Sequence, residues 1–184
     1  MNNSELETLI RNILREQLVP ATPRTLRNAI FQTVDEAVCA AHQAFLRFQQ
    51  CPLKTRSAII SAIREELMPR LTELAEESAK ETGMGNKEDK YLKNKAALDN
   101  TPGVEDLTTT ALTGDGGMVL FEYSPFGVIG SVTPSTNPTE TIINNSISML
   151  AAGNSVYFSP HPGAKYVSLK LITTIEDIGF RCSG

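Results

Sequence analysis

Segments that alternate between strand-like and helix-like composition in the C-terminal third of the chain constrain the fold most. GVIGSVT and NSVYFS have the composition of strands, whereas PTETIINNSISMLAA and AKYVSLKLITTIEDIG have that of helices. Strand, helix, strand and helix at this spacing indicate a βαβ unit with two parallel strands. Pro138 at the first helical position and Gly153 just past the end bound the first helix. The expected fold class is α/β.

A polar turn joins the first strand to the first helix. Ligands of open α/β sheets favour the carboxyl ends of strands, and a helix start offers free N–H groups to an anion. Asn137, just before Pro138, is placed as an N-cap. We favour a plain cap from the residue type alone, but its amide could instead donate to negative charge on a substrate oxygen. A second loop, with Ser159 and His161, follows the next strand and either lines a ligand or is a solvent-facing turn.

Composition excludes several classes of function. The net charge of -4 gives no basic footprint for nucleic acid, and no apolar run approaches the roughly 20 residues of a membrane span. Neither of the glycine-rich phosphate-binding motifs occurs, and no Cys/His cluster has the spacing of a metal site. Cys39, Cys51 and Cys182 are expected to be small buried side chains.

The rest of the chain is predicted to be mainly helical. Residues 1–18 have apolar positions at helical spacing and predict an amphipathic helix that needs a partner surface, either a binding partner or its own domain. A proline-containing linker over 19–30 follows. Residues 31–117 are expected to form a helical region, with a charged, solvated helix near its end and a loop-rich stretch over 101–117. A strand over 118–126 precedes the βαβ unit, which begins at 127 and runs to 184.

The stretch EYSPFGVIGSVTPSTNPTETIINNSISMLAAGNSVYFSPHPGAK resembles the aldehyde dehydrogenase superfamily, in particular the branch that acylates coenzyme A. With ETGMGNKEDKYLKNKAALDN and SELETLIRNIL, the chain resembles the propionaldehyde dehydrogenases of propanediol-utilisation microcompartments. The acetaldehyde dehydrogenases of ethanolamine utilisation share TPSTNP and AAGNSV but look less similar at the N-terminus. The resemblance implies an incomplete Rossmann-like cofactor domain, preceded by a helical region and an N-terminal targeting helix.

The resemblance also implies a reaction. In the family a cysteine attacks the aldehyde, hydride passes to NAD, and coenzyme A takes the acyl group from the resulting thioester. Asn137 matches the asparagine whose amide helps to hold the oxyanion. The loop beside the nicotinamide end of the cofactor is matched by Thr133, Pro134, Ser135 and Thr136. The loop near the adenosine is matched by Ser159, Pro160, His161 and Pro162.

The second loop departs from the hydrolytic branch of the superfamily. That branch carries a lysine at the position of Ser159 and often a glutamate at that of Pro162, so its ribose contacts do not carry over. We hypothesise that the loop, which has neither of these charged groups, serves NAD and coenzyme A in turn.

The resemblance implies partners as well. Residues 1–18 match the peptide that directs the family's enzymes to a shell protein and into the microcompartment lumen, and residues 118–126 match part of an oligomerisation arm of a homo-oligomer. None of the three cysteines matches the nucleophile. We therefore expect these residues to be the N-terminal part of a longer aldehyde dehydrogenase that acts on short-chain aldehydes. The alternative is a short, inactive, shell-targeted binding module.

Overall fold

The computed structural model describes residues 30–182. The predicted targeting helix over 1–18 and nearly all of the predicted linker lie outside the described residues. The helices and strands that are described run as follows: α1 Val34–Phe48, α2 Leu53–Leu67, α3 Leu71–Thr82, α4 Lys87–Asn100, β1 Thr110–Gly114, β2 Gly117–Phe121, β3 Val128–Thr133, α5 Pro138–Ala151, β4 Ser155–Pro160 and α6 Lys165–Cys182.

Helix boundaries in the first half follow from local chemistry. Thr33 caps α1, because its side-chain oxygen accepts the N–H of Glu36 at 3.3 Å. The Glu36 carboxylate reaches back to the N–H of Gln32 rather than to that of Thr33. Pro69 lies in a 3₁₀ turn between α2 and α3, as its lack of an N–H predicts. Gly83 ends α3 in the left-handed conformation, with φ of 64°.

The predicted βαβ unit is confirmed. β3 and β4 pair in parallel, in a register that runs from Val128 opposite Ser155 to Thr133 opposite Pro160, and α5 is the crossover between them. Helix α5 begins with a proline at its first position, as predicted. Gly153 follows its end with φ of 81°, and a Cβ there would lie 2.6 Å from the Arg56 guanidinium. The left-handed backbone is the condition that favours glycine here, since the end of the Arg56 side chain could move aside.

A β-hairpin lies partly where the sequence analysis predicts loops and partly where it predicts a strand. β1 occupies 110–114, within the stretch assigned to loops and to the helical region, and pairs antiparallel with β2. The loop assignment was wrong for β1 because each of its residues is exposed, so the strand lacks the alternation that identifies a half-buried strand. The predicted strand over 118–126 is confirmed at 118–121, where β2 lies, but 122–126 has no strand structure. The apolar side chains of the hairpin are 53–63% exposed: Leu112, Met118, Val119, Leu120 and Phe121.

The hydrophobic core lies among α2, α3, α5 and α6. Helix α4 packs on α3 and α5, and α1 packs on β4. The sheet is only partly covered, since Val132 on β3 is 82% exposed. The fully buried isoleucine and leucine side chains of the core, each less than 2% exposed, are Ile63, Leu67, Leu71, Leu98, Ile142, Ile143, Ile147, Leu171 and Ile178.

Two predictions about burial are corrected. The charged helix α4 was expected to present a solvated face, but Lys90, Asn94 and Leu98, one turn apart, are all buried against its neighbours. A helix with a low apolar content can therefore still have a buried stripe. The cysteines are less buried than predicted: Cys39 is exposed, and Cys51 and Cys182 are half-buried.

Candidate nucleotide- and substrate-binding site

The two loops predicted to face a cofactor lie side by side at the carboxyl edge of the sheet. The N–H of His161 donates to the carbonyl oxygen of Thr133 at 3.0 Å, continuing the pairing of Thr133 with Pro160. The parallel register therefore brings the end of β3 and the end of β4 together. Ser159 and His161 are exposed at this edge, where they are free to meet a ligand.

The first loop combines an exposed surface with a buried anchor. Pro134 and Thr136 are exposed, and Ser135 is half-buried with its Oγ 3.9 Å from the sulfur of Met84. Thr133 is only 1% exposed, and its Oγ1 has no hydrogen-bond partner among the described residues. A buried hydroxyl without a partner is costly, which makes this oxygen a candidate for contact with a bound group or an ordered water.

The second loop is held by its own histidine. Nδ1 of His161 accepts the N–H of Gly163 at 3.0 Å. This bond requires the neutral ring with its proton on Nε2, and it leaves that N–H as a donor on an exposed side chain. Pro162 is also exposed and begins a 3₁₀ turn, Pro162–Ala164, before α6. Of the two interpretations offered by the sequence, the loop is the solvent-facing turn. It nevertheless provides a hydrogen-bond donor at the sheet edge.

The N-terminus of α6 is already occupied by a carboxylate. Both oxygens of Glu81, at the end of α3, accept backbone N–H groups of the first turn, from Tyr166 and Val167, each at 2.8 Å. An anion bound at this helix end would compete with a charge that the protein supplies itself. Of the two helices that follow β3 and β4, α5 is thus better placed than α6 to face a phosphate or an oxyanion.

Asn137 occupies the N-cap position of α5 without capping it. Its backbone has φ of -134° and ψ of 60°, and its side chain makes no capping hydrogen bond. Instead, Oδ1 accepts from Nζ of Lys93 on α4 at 3.2 Å. The carbonyl oxygen of Asn137 accepts both the N–H and the Oγ1–H of Thr141. The expectation of a plain cap was therefore wrong, because the amide is turned towards α4.

A groove between α4 and α5 begins at this amide. It is open to solvent and has a volume of about 430 Å³. Six of its eight lining side chains are uncharged, and Lys93 and Glu140 are the two charged ones. The residues that line it are Lys93, Ala96, Ala97, Asn137, Glu140, Thr141, Asn144 and Asn145.

Two charged side chains, Lys90 and Glu140, are buried beneath the loop. Lys90 is 3% exposed and donates to the carbonyl oxygen of Thr136 at 3.0 Å. Burial lowers the pKa of Lys90, the negative charge of Glu140 opposes this shift, and the nearby charge of Lys93 adds to it. Glu140 is itself 9% exposed, and its Oε1 has no hydrogen-bond partner in the described part of the chain.

Sequence reasoning missed four residues of this site: Glu81, Lys90, Lys93 and Glu140. The two lysines lie three positions apart in EDKYLKN, a spacing that places both on one side of a helix. Local periodicity predicts that they share a side, but not that this side faces a loop 44 to 46 positions later. Only the packing of α4 on α5 brings them together.

A parallel βαβ unit with polar loops at its carboxyl edge is the unit from which ligand-binding α/β folds are built. The sequence profile of the aldehyde dehydrogenase family matches residues 21–181, and the chain belongs to this family. The predicted resemblance to the CoA-acylating propionaldehyde dehydrogenases is confirmed by an identity of 83% over the whole chain to the propanal dehydrogenase (CoA-propanoylating) of Citrobacter freundii.

Solved structures agree with this assignment. The propionaldehyde dehydrogenase of Rhodopseudomonas palustris, with bound CoA and an acylated cysteine, superposes with a TM-score of 0.82 and 49% identity, over 85% of this chain and 36% of that one. A propionaldehyde dehydrogenase from the fucose-utilisation microcompartment of Clostridium phytofermentans gives 0.81 and 44%, over the same shares. The fold class predicted from the sequence is thus confirmed for the described residues.

The chain covers only part of these relatives. It spans 40% of the length of the Citrobacter freundii enzyme.

Within residues 30–182, no helix is long and apolar enough to cross a membrane, and no group of His, Cys, Asp and Glu side chains could hold a metal ion.

Proposed function

We propose that the chain contributes the N-terminal part of an NAD-dependent, CoA-acylating aldehyde dehydrogenase that oxidises propionaldehyde to propanoyl-CoA during 1,2-propanediol degradation. The identity of 83% to an enzyme of that name supports the reaction. The structural observation that carries the proposal is the side chain of Asn137, which leaves its helix uncapped and turns towards the groove between α4 and α5.

Asn137 serves as an oxyanion donor in this proposal. When a nucleophile adds to an aldehyde carbon, negative charge develops on the carbonyl oxygen, and a fixed N–H donor stabilises it. Oδ1 of Asn137 is engaged by Lys93 at 3.2 Å, so the Nδ2 group is the part of the amide left for the substrate. A short aldehyde in the groove would meet this group as its carbonyl approaches the start of α5.

The two loops at the sheet edge are the proposed nucleotide contacts. Residues 133–136 would lie beside the nicotinamide end of NAD, which accepts the hydride when it is bound. Ser159, Pro160, His161 and Pro162 would lie near the adenosine. The fit is supported by the partnerless Oγ1 of the buried Thr133 and by the outward Nε2–H of the exposed His161.

The same second loop is proposed to meet coenzyme A. NAD and CoA share an adenosine group, so one neutral loop can accept either in turn, provided that the first leaves before the second arrives. Within 159–162 the chain carries no acidic side chain to repel the additional 3′-phosphate of CoA. The relative of known structure with bound CoA lends support, because its fold matches over 85% of this chain.

Location and assembly complete the proposal. Residues 1–18 are proposed to target the enzyme to a shell protein and into a bacterial microcompartment lumen, as their apolar spacing and the microcompartment relative suggest. The β1–β2 hairpin is proposed to be an arm that pairs with another subunit of a homo-oligomer. Its support is the exposure of its five apolar side chains, which a monomer would leave in water.

Product analysis tests the proposed function. The complete gene product that contains these residues is purified and incubated with propanal, NAD and CoA, and the acyl-CoA product is identified by mass spectrometry. We expect propanoyl-CoA and an equal amount of NADH, and no propanoyl-CoA when NAD is left out. A parallel reaction with acetaldehyde compares the two short aldehydes at equal concentration. NADH with propanoate alone, or no turnover of propanal, would refute the proposal.

A further inference from the structure

Two lysines of α4 reach across to the loop that carries Asn137. Nζ of Lys90 donates to the carbonyl oxygen of Thr136 at 3.0 Å, and Nζ of Lys93 donates to Oδ1 of Asn137 at 3.2 Å. We propose that Lys93 is a positioning residue that sets the orientation of the Asn137 amide, and that Lys90 holds the backbone directly before it. This inference rests on the proposed oxyanion role of Asn137.

The chemistry of the two side chains fixes the orientation. An ammonium group has three donors and no acceptor, whereas a primary amide has an acceptor oxygen and a donor nitrogen. Lys93 can therefore bind only the Oδ1 side of Asn137, because the opposite orientation would place two donors against each other. The Nδ2 group must then point away from Lys93. An asparagine without this partner could rotate by half a turn at its amide and present oxygen to the substrate.

The ammonium group also strengthens the amide as a donor. Hydrogen bonds in a chain polarise one another, so an amide whose oxygen accepts from a cation donates more strongly from its nitrogen. In the proposed reaction this effect grows as charge develops on the substrate oxygen, and it therefore favours the transition state over the bound aldehyde. Loss of Lys93 should lower kcat while the KM for the aldehyde stays close to its original value.

The environments of the two lysines separate their roles. Lys90 is 3% exposed, so its removal leaves the carbonyl oxygen of Thr136 without its buried donor. Lys93 is exposed, and an exposed ammonium group contributes little to stability. A purely structural explanation therefore suffices for Lys90 but gives no reason for the contact that Lys93 makes with Asn137.

A double-mutant cycle in the complete gene product tests the proposal. Lys93→Met, Asn137→Ala and the double variant are compared with the unsubstituted enzyme in CoA-dependent propanal oxidation. We expect Lys93→Met to lower kcat about tenfold, the size of effect usual for one charge-assisted hydrogen bond, and KM to change less than about twofold. The double variant should be no slower than Asn137→Ala, because Lys93 acts through Asn137.

Two further variants serve as controls. Lys93→Arg retains the donors and the charge and should recover most of the activity. Lys95→Met removes a lysine from the same helix that pairs with Asp99 instead of the loop, and its kcat should match that of the unsubstituted enzyme. Thermal melts of all variants separate loss of folding from loss of orientation, and we expect Lys93→Met and Lys95→Met to melt alike.

Each remaining outcome decides against one of the two proposals. A kcat of Lys93→Met equal to that of Lys95→Met would overturn the positioning role. The role would also be overturned if Lys93→Met lowered kcat by the same factor in the Asn137→Ala background as in the unsubstituted enzyme. A lower melting temperature that accounts for the lost activity, with no rescue in Lys93→Arg, would reduce Lys93 to a structural residue. An inactive unsubstituted enzyme would instead refute the proposed function, on which the positioning role depends.

Discussion

The backbone N–H of His161 donates to the carbonyl oxygen of Thr133 at 3.0 Å, which joins the loops that follow β3 and β4. Substitution in the second loop should therefore affect the nucleotides that meet this edge. We expect Ser159→Ala and His161→Ala each to raise the KM for NAD and for CoA by about fivefold, the effect of one lost neutral hydrogen bond. Steady-state kinetics with each nucleotide varied in turn measures both values.

The matched control for this prediction is His42→Ala, an exposed histidine on α1. It should leave both KM values unchanged. If Ser159→Ala and His161→Ala behave in the same way as the control for both nucleotides, the hypothesis of a shared loop is wrong.

The contact of Glu81 with α6 predicts a loss of stability on substitution. Its carboxylate accepts two N–H groups at the helix N-terminus, each at 2.8 Å, where a negative charge is most favourable. Glu81→Gln keeps the shape but removes the charge, and we expect the free energy of unfolding to fall by about 1–2 kcal/mol. Urea denaturation gives this value. Glu65→Gln, at an exposed position on α2, is the control, and equal midpoints for the two variants would contradict the capping role.

The exposed hairpin predicts a change in assembly. Val119 lies on β2 and is 56% exposed. If the hairpin pairs with another subunit, Val119→Lys places a charge in an apolar interface and should shift the enzyme towards smaller species at equal concentration. Sedimentation velocity measures the distribution. Gln49→Lys adds the same charge at an exposed position after α1 and should leave the distribution unchanged. An unchanged distribution for Val119→Lys would argue against the hairpin as an assembly arm.

The burial of Lys90 predicts a dependence of stability on pH. Its pKa is lowered from 10.5 in the folded protein, mainly by burial, so between the lowered value and 10.5 the unfolded chain binds more protons. The free energy of unfolding therefore rises with pH across this window. Lys90→Met lacks the titrating group, and the difference in free energy between the unsubstituted enzyme and this variant should increase as the pH rises towards 10.5.

Lys95→Met gives the opposite expectation as a control. Its pKa is raised from 10.5, chiefly by the hydrogen bond to Asp99, so its contribution to stability is constant below 10.5 and falls only above that value. A flat difference for Lys90→Met over the same range would contradict the burial of its ammonium group.

The sequence predicted the βαβ unit because each of its signals is local. Strand composition, Pro138 at the helix start and Gly153 after its end act within a few residues, and the structure places both as expected. Strand β1 escaped prediction because each of its residues is exposed, so the apolar alternation that marks a half-buried strand is absent, whereas β2 lies within the predicted strand except at Gly117.

The candidate site was predictable only in part for a related reason. Position and residue type identify Asn137 as an N-cap, and the family resemblance supplies the alternative role. Lys93 and Asn137 lie 44 positions apart in sequence, and their contact depends on how α4 packs against α5. No local sequence pattern encodes this packing. The same holds for Glu81, whose partners are the backbone N–H groups of another helix.

The measurement that tests the central claim most directly is the kcat of Asn137→Ala in CoA-dependent propanal oxidation by the complete gene product. Removal of one oxyanion donor should lower kcat by about 10²–10³, with little change in the KM for propanal. Asn100→Ala, at the exposed end of α4, should remain as active as the unsubstituted enzyme. A kcat for Asn137→Ala within about twofold of that control would contradict the role of Asn137 as the oxyanion donor.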